Sequence, residues 1–202
     1  MKIYKNKQNK MDFSGLSKNT TVQDYLTAQT AYLDKHPLKC STCRDNCCRR
    51  NWNLQLDIVF FNRLLEKSNL SPAKTAKKYI KFNPLQRPVF RQFPCVFLDP
   101  DDRCSIYQRR ALTCRIYTCH EESEKYITLK TILIQTLNIT LAVKLKSLQN
   151  NISPEEAATS FELAKPELIP LTAKDYNLRI SRLISAARGF LPPKSQNLFI
   201  NL

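Results

Sequence analysis

The sequence predicts a mostly α-helical protein, a helical single domain around an irregular, proline-rich centre that is stabilised by metal bound to cysteines. Three observations lead to this prediction. Apolar residues recur at intervals of three and four in several segments, which is typical of amphipathic helices. Four prolines within residues 82–120 interrupt any long helix there. Only two glycines occur in the chain, which argues against glycine-rich nucleotide-binding loops.

The N-terminal part is predicted to be a basic tail followed by a helix. Residues 1–20 carry five lysines and few large apolar groups, so we expect a mobile basic tail. Thr21 can cap a helix, and Asp24 three residues later favours its positive N-terminal end. The helix should end at His36, because a residue that precedes proline avoids the helical conformation.

Two more helices are predicted after the first cysteines, with Asp57 and Ser71 as their N-caps. Between residues 82 and 120 we expect loops, short turns and one small hairpin. Residues 134–148 have helical spacing of apolar side chains, whereas residues 127–132 fit either this helix or a short strand before it.

The last two helices are predicted from their start signals. Ser153 with Pro154 marks one start, and Thr172 with Asp175 marks a final helix that ends near Gly189. We therefore divide the chain into a tail, a cysteine-cluster metal-binding region over residues 21–123, and a helical C-terminal region over residues 124–202. The two regions are expected to pack as one domain, since the hydrophobic fraction is 43%.

The eight cysteines form two groups of four. The first group lies within nine residues in the pattern C-x2-C-x3-C-C, and the second is more widely spaced. No apolar signal segment follows the basic N terminus, and the longest apolar run is too short to span a membrane, so we expect a cytoplasmic protein. There a dense cysteine cluster favours metal over disulfides, which remain the alternative. The predicted metal ligands are Cys40, Cys43, Cys47, Cys48, Cys95, Cys104, Cys114 and Cys119.

The spacing of the first group indicates which ligands share a metal. Cys40 and Cys43 are separated by two residues, so both can bind one ion from a tight turn. The side chains of Cys47 and Cys48 diverge because the residues are adjacent, which favours two metal atoms or sites side by side; a vicinal disulfide would be strained. Thiolates suit both zinc and iron-sulfur clusters. The adjacent pair favours an iron-sulfur cluster of the 4Fe-4S type, with zinc as the alternative.

Basic residues accompany the cysteines. His36 and His120 lie beside the two groups, where each is either a substitute ligand or a solvated neighbour. Arginines in these segments either neutralise the thiolates or form a patch for an anionic substrate or nucleic acid. We favour neutralisation for Arg115 and leave both readings open for Arg49 and Arg50. The arginines concerned are Arg44, Arg49, Arg50, Arg103, Arg109, Arg110 and Arg115.

The net charge leaves an acidic partner open. Lysine and arginine exceed aspartate and glutamate by 32 to 17, a formal charge of +15. Eight thiolates with four positive metal charges would lower +15 to +11, so the protein stays basic. The charge is compatible with an acidic protein surface or a nucleic acid as partner, and charge alone identifies neither.

The nonet Cys40–Cys48, with the segments Cys95–Asp99, Arg103–Tyr107 and Cys114–Cys119, resembles the CxxCxxCC, or YkgJ-like, cysteine-cluster family. The resemblance spans roughly residues 40–120. It implies a zinc- or iron-chelating domain, in a group that includes the lysine N-methylases of flagellin.

Two positions depart from the pattern of this family. Arg109-Arg110 stands where the family usually has Arg-Pro, and Val96 stands where it usually has proline. All the cysteines are present, so the resemblance still implies metal binding. Its enzyme members imply an alternative function, a cluster-dependent protein (lysine) N-methyltransferase that uses S-adenosylmethionine. A basic nucleic-acid-binding module is the second alternative, which rests on the charge and not on the family.

Overall fold

The computed structural model describes residues 1–37, 48–49, 54–101, 103–159 and 170–187. Within these ranges the protein is mostly helical, as predicted, with seven α-helices and four short strands. In chain order they are β1 (Lys2–Lys5), β2 (Met11–Ser14), α1 (Val22–Lys35), α2 (Ile58–Ser68), α3 (Pro72–Tyr79), β3 (Ile80–Phe82), β4 (Pro88–Phe90), α4 (Leu112–Ile116), α5 (Glu124–Asn150), α6 (Pro154–Thr159) and α7 (Ile180–Ala187).

Helix α5 lies at the centre of the hydrophobic core. Its side chains Tyr126, Leu133 and Leu141 are fully buried, and helices α2, α6 and α7 pack against it. One cluster of buried residues runs from Ile3 to Ala187, so the N-terminal strands and α7 share this core. By length and composition α5 could cross a membrane, but 72% of its apolar window is buried inside the protein. Such burial is the pattern of a core helix.

The N-terminal residues differ from the mobile basic tail that we expected. Strands β1 and β2 form an antiparallel hairpin, and its residues Ile3, Met11 and Phe13 are buried. The Met11 N–H donates to the Glu121 carbonyl at 2.7 Å, and the Met11 carbonyl accepts from the Ser123 N–H at 2.8 Å. The few apolar residues of this segment are therefore placed on one face, where they cover the start of α5.

The predicted starts of the first helices are confirmed. Thr21 accepts a hydrogen bond from the Asp24 N–H at 3.1 Å, and the Asp24 carboxylate accepts one from the Thr21 N–H at 2.8 Å. Asp57 and Ser71 are the N-caps of α2 and α3. Helix α1 ends with His36 as its C-cap, before Pro37. These boundaries depend on contacts within three residues, which is why local sequence predicts them.

Two predictions near the C terminus differ from the structure. Residues 127–132 are helical and belong to α5, so the alternative of a short strand is wrong. The final helix begins at Ile180 and not near Thr172. The Asp175 carboxylate accepts from the Asn177 N–H at 3.0 Å, so this aspartate supports a turn before α7. Gly189, its predicted end, lies outside the described residues.

The centre of the chain is irregular, as expected from its prolines. Strands β3 and β4 form the one small hairpin that was predicted, with Ile80 opposite Phe90. A short 3₁₀ turn at Tyr107–Arg109 and the five-residue helix α4 follow. This arrangement places the second cysteine group on loops and on α4, beside the core. The limits of the two regions, residues 21–123 and 124–202, remain a prediction.

Candidate metal centre

A backbone hydrogen bond joins the first cysteine group to the second. The Cys95 N–H donates to the Cys48 carbonyl at 2.8 Å, which holds the last residue of the first group beside the first residue of the second. A second contact joins residues outside the groups, since the His120 Nε2 lies 3.0 Å from the His36 carbonyl oxygen. His36 precedes the first group and His120 follows Cys119 directly. Cys48 is therefore held next to Cys95, and His36 next to the residue that follows Cys119.

Cys95 and Cys104 lie on one loop that turns back on itself. Leu98 and Cys104 form an antiparallel bridge, and the Leu98 N–H donates to the Cys95 carbonyl at 2.9 Å. The Asp99 carboxylate accepts from the Arg103 N–H at 2.7 Å within the turn. These bonds turn the loop back on itself, so that Cys104 lies opposite Leu98, three positions after Cys95.

Phe97 attaches this loop to the core. Its ring centroid lies 6.0–6.2 Å from those of Phe60, Tyr79 and Phe90, which belong to α2, α3 and β4. Aromatic contacts of this kind stabilise a loop beyond the area that they bury. The loop that carries Cys95 and Cys104 is thus held against the helical core by an aromatic cluster.

Cys114 lies on α4, a helix too short to be stable without tertiary contacts. The buried carboxylate of Asp57 accepts from the Leu112 N–H at 2.7 Å and from the Phe60 N–H at 2.8 Å, so it caps both α4 and α2. The Tyr176 hydroxyl donates to the same carboxylate at 3.2 Å. Burial raises the pKa of Asp57 above its ordinary value, and these three hydrogen bonds act against that rise.

Arg115 follows Cys114 and contacts Tyr176. Its guanidinium lies 5.4 Å from the Tyr176 ring centroid, a cation–π geometry. Burial lowers the pKa of Arg115, while the charge of Asp57 favours its protonated form. The contact that the structure shows for Arg115 is therefore with the Asp57–Tyr176 pair. The predicted neutralisation of thiolates by this residue stays a prediction.

His36 and His120 belong to a cluster of rings with Tyr32. The Tyr32 centroid lies 4.5 Å from that of His36 and 5.7 Å from that of His120. Because the Nε2 of His120 is engaged by the His36 carbonyl, Nδ1 is the ring nitrogen left for another partner. The rings thus stabilise the contact between His36 and His120, and a ligand role for either histidine stays a prediction.

Five of the eight predicted ligands are described. Cys48, Cys95, Cys104 and Cys114 are half-buried and Cys119 is exposed; Cys40, Cys43 and Cys47 lie outside the described residues. Within the described ranges, no group of three or more His, Cys, Asp or Glu residues is placed to hold a metal ion. The eight-cysteine ligand set therefore stays a prediction.

Sequence reasoning missed the second role of Asp57 and the contribution of Tyr176. Asp57 was recognised as the N-cap of α2 from its position before an apolar helical pattern. Its bond to Leu112 joins residues 55 positions apart, and its bond to Tyr176 joins residues 119 apart. No local spacing predicts contacts at such separations, so the sequence held no signal for them.

Comparison with protein families identifies the central segment. Residues 39–132 match the model of the CxxCxxCC family, described as a putative zinc- or iron-chelating domain. The match contains all eight cysteines and extends into α5. It confirms the resemblance seen in the cysteine pattern. Comparison with curated proteins and with solved structures gives no match.

Proposed function

We propose that residues 39–132, as a CxxCxxCC domain, bind metal in one centre to which both cysteine groups contribute. One observation carries this proposal: the 2.8 Å bond between the Cys95 N–H and the Cys48 carbonyl, which joins the two groups. The contact between His120, which follows Cys119, and the carbonyl of His36 supports it, because His36 comes shortly before the first group in the chain. Two groups that are joined in this way can share a centre.

The proposed ligands are the eight cysteine thiolates. Half-buried sulfurs on loops beside a hydrophobic core suit soft metals, and carboxylates are absent from the proposed ligand set. Zinc bound there would stabilise the fold, and an iron-sulfur cluster would also carry electrons. We favour iron-sulfur clusters of the 4Fe-4S type because adjacent cysteines at Cys47-Cys48 suit a centre with several metal atoms. Since each such cluster binds four cysteines, eight thiolates would hold two clusters side by side.

Metal analysis of the intact chain tests this proposal. The protein is purified without oxygen, and iron, zinc and acid-labile sulfide are measured per chain. We expect iron and sulfide in nearly equal amounts, as a 4Fe-4S cluster requires. Zinc without sulfide would contradict the iron-sulfur assignment but agree with a metal centre that binds zinc. A chain with neither metal would overturn the proposal.

The same preparation tests the enzyme alternative, a cluster-dependent protein (lysine) N-methyltransferase. Such an enzyme must bind S-adenosylmethionine, which isothermal titration can measure on the metal-loaded and metal-free chain. Saturable binding that requires the metal would support the enzyme, and no binding to the loaded chain would count against it.

A further inference from the structure

The segment from Lys67 to Leu98 has a strongly unbalanced charge. It contains seven lysines and arginines and no aspartate or glutamate. The segment forms α3, β3 and β4, which follow one another directly in the fold. The surplus positive charge of the protein is therefore partly concentrated on this helix and hairpin.

Three lysines of this segment lie on the exposed side of α3. Lys74, Lys77 and Lys78 are exposed, and none of them forms an ion pair with a described residue. Elsewhere in the fold Lys174 pairs with Glu66 at 2.8 Å. Residues three and four apart share one face of a helix, so Lys77 and Lys78 both lie next to Lys74 and the three form a lysine patch. Such a patch attracts a polyanion.

Two apolar side chains are exposed on the hairpin that follows α3. Phe82 is 44% exposed and Leu85 is 78% exposed, at the end of the β3–β4 hairpin. The turn between the strands is held by Asn83, whose side-chain oxygen accepts from the Leu85 N–H at 3.0 Å and from the Arg87 N–H at 2.9 Å. The apolar tip is therefore presented by a fixed turn.

We propose that this basic hairpin face, formed by Lys74, Lys77, Lys78, Phe82 and Leu85, binds nucleic acid. The lysine patch neutralises phosphates, which releases counterions and drives association. The Phe82 ring and the Leu85 side chain contact bases, through stacking on a single strand or as a wedge in a duplex. Exposed cations on α3 and an exposed ring on the hairpin that follows it match a strand that alternates phosphates with flat bases. This inference is independent of the metal centre.

Binding to labelled nucleic acid tests whether the lysine patch contributes to affinity. Fluorescence anisotropy of the intact metal-loaded chain is measured with short mixed-sequence single strands and duplexes at increasing salt. The triple variant Lys74→Gln, Lys77→Gln and Lys78→Gln should bind single strands about tenfold more weakly, with the salt slope smaller by about 2. An affinity and a slope equal to those of the wild type would overturn the proposal.

A matched control has the same change in charge at another place. Lys5→Gln, Lys7→Gln and Lys10→Gln neutralise three exposed lysines of the N-terminal hairpin. This variant should lose much less affinity than the first. Equal losses in both triple variants would show that the net charge and not this face binds nucleic acid, which contradicts the proposal.

The role of the apolar tip is tested separately. Phe82→Ala should weaken single-strand binding about tenfold without changing the salt slope, because a stacking contact and no phosphate contact is lost. Leu148→Ala is the matched control, since Leu148 is 49% exposed on α5, far along the chain from the hairpin. Anionic lipid vesicles and polyglutamate are competing ligands, and tighter binding to either one than to nucleic acid would overturn the proposal.

Discussion

The buried carboxylate of Asp57 connects three parts of the chain. It caps α2 through the Phe60 N–H, caps α4 through the Leu112 N–H, and accepts from the Tyr176 hydroxyl before α7. A buried carboxylate is costly unless its oxygens are hydrogen-bonded, and here both oxygens are. Asp57 therefore positions α4, and with it Cys114, relative to the core.

The substitution Asp57→Asn tests the cap of α4 while it keeps the cap of α2. Asparagine can still cap α2 through its one oxygen, but its NH₂ group would then face the Leu112 N–H, a donor against a donor. We expect the free energy of unfolding to fall by about 1–3 kcal/mol. Urea unfolding of the metal-loaded chain measures the change. Ser71→Ala, which removes the cap of α3 alone, should cost about 1 kcal/mol. A loss no larger than in this control would refute the double-cap role.

At the level of single residues, the sequence predicted the candidate ligands but little of their surroundings. The cysteines could be recognised as candidate ligands because four thiols in nine residues are not typical of a hydrophobic core. The bond between Cys95 and Cys48 and the contact between His120 and His36 join distant parts of the chain. Such contacts depend on the folding of everything between them, so spacing alone did not predict them.

At the level of elements, the N-terminal hairpin shows the limit of composition as a guide. Its five basic and few apolar residues resembled a tail, yet Phe13 is buried and its ring lies 6.5 Å from that of Tyr126. Outside the hairpin, β2 is bonded to Glu121 and Ser123, more than a hundred residues away. The N-caps of α1, α2 and α3 were predicted correctly because a cap and its helix are neighbours in the sequence, whereas the start predicted for the final helix at Thr172 was wrong.

Phe13→Ala tests whether the hairpin is an integral part of the fold. Loss of a buried ring should lower the free energy of unfolding by about 3–5 kcal/mol, measured by urea unfolding. Lys7→Ala, in the exposed turn of the same hairpin, should stay within about 0.5 kcal/mol of the wild type. If Phe13→Ala is as harmless as Lys7→Ala, residues 1–20 are the mobile tail that composition suggested.

At the level of the whole molecule, the core and the metal centre are expected to contribute separately to stability. Helix α5 and its neighbours bury a continuous apolar cluster without any cysteine in α5. Residues 91–101 and 103–110, which carry Cys95 and Cys104, contain two prolines and no glycine and are half-buried or exposed. We expect these residues to gain order from their ligands. Removal of metal should thus loosen the loops and leave the core helical.

Thermal unfolding before and after chelation of the metal measures how much the metal centre contributes to stability. We expect metal-free protein to retain most of its helical circular dichroism signal and to unfold at least about 10 °C lower, since each kcal/mol lowers the midpoint by about 2–4 °C. An unchanged midpoint would mean that bound metal does not stabilise the fold. Re-addition of the metal should restore the midpoint and serves as the control for irreversible damage.

The most direct test of a shared metal centre is the metal content of a variant in the second cysteine group alone. Cys104→Ser is compared with Ser105→Ala, a neighbouring change that keeps every thiol and removes the hydrogen bond from the Ser105 hydroxyl to the Phe97 carbonyl. If both groups share one centre, Cys104→Ser should lose most of the metal per chain, while Ser105→Ala keeps it. Full metal content in Cys104→Ser would contradict a shared centre.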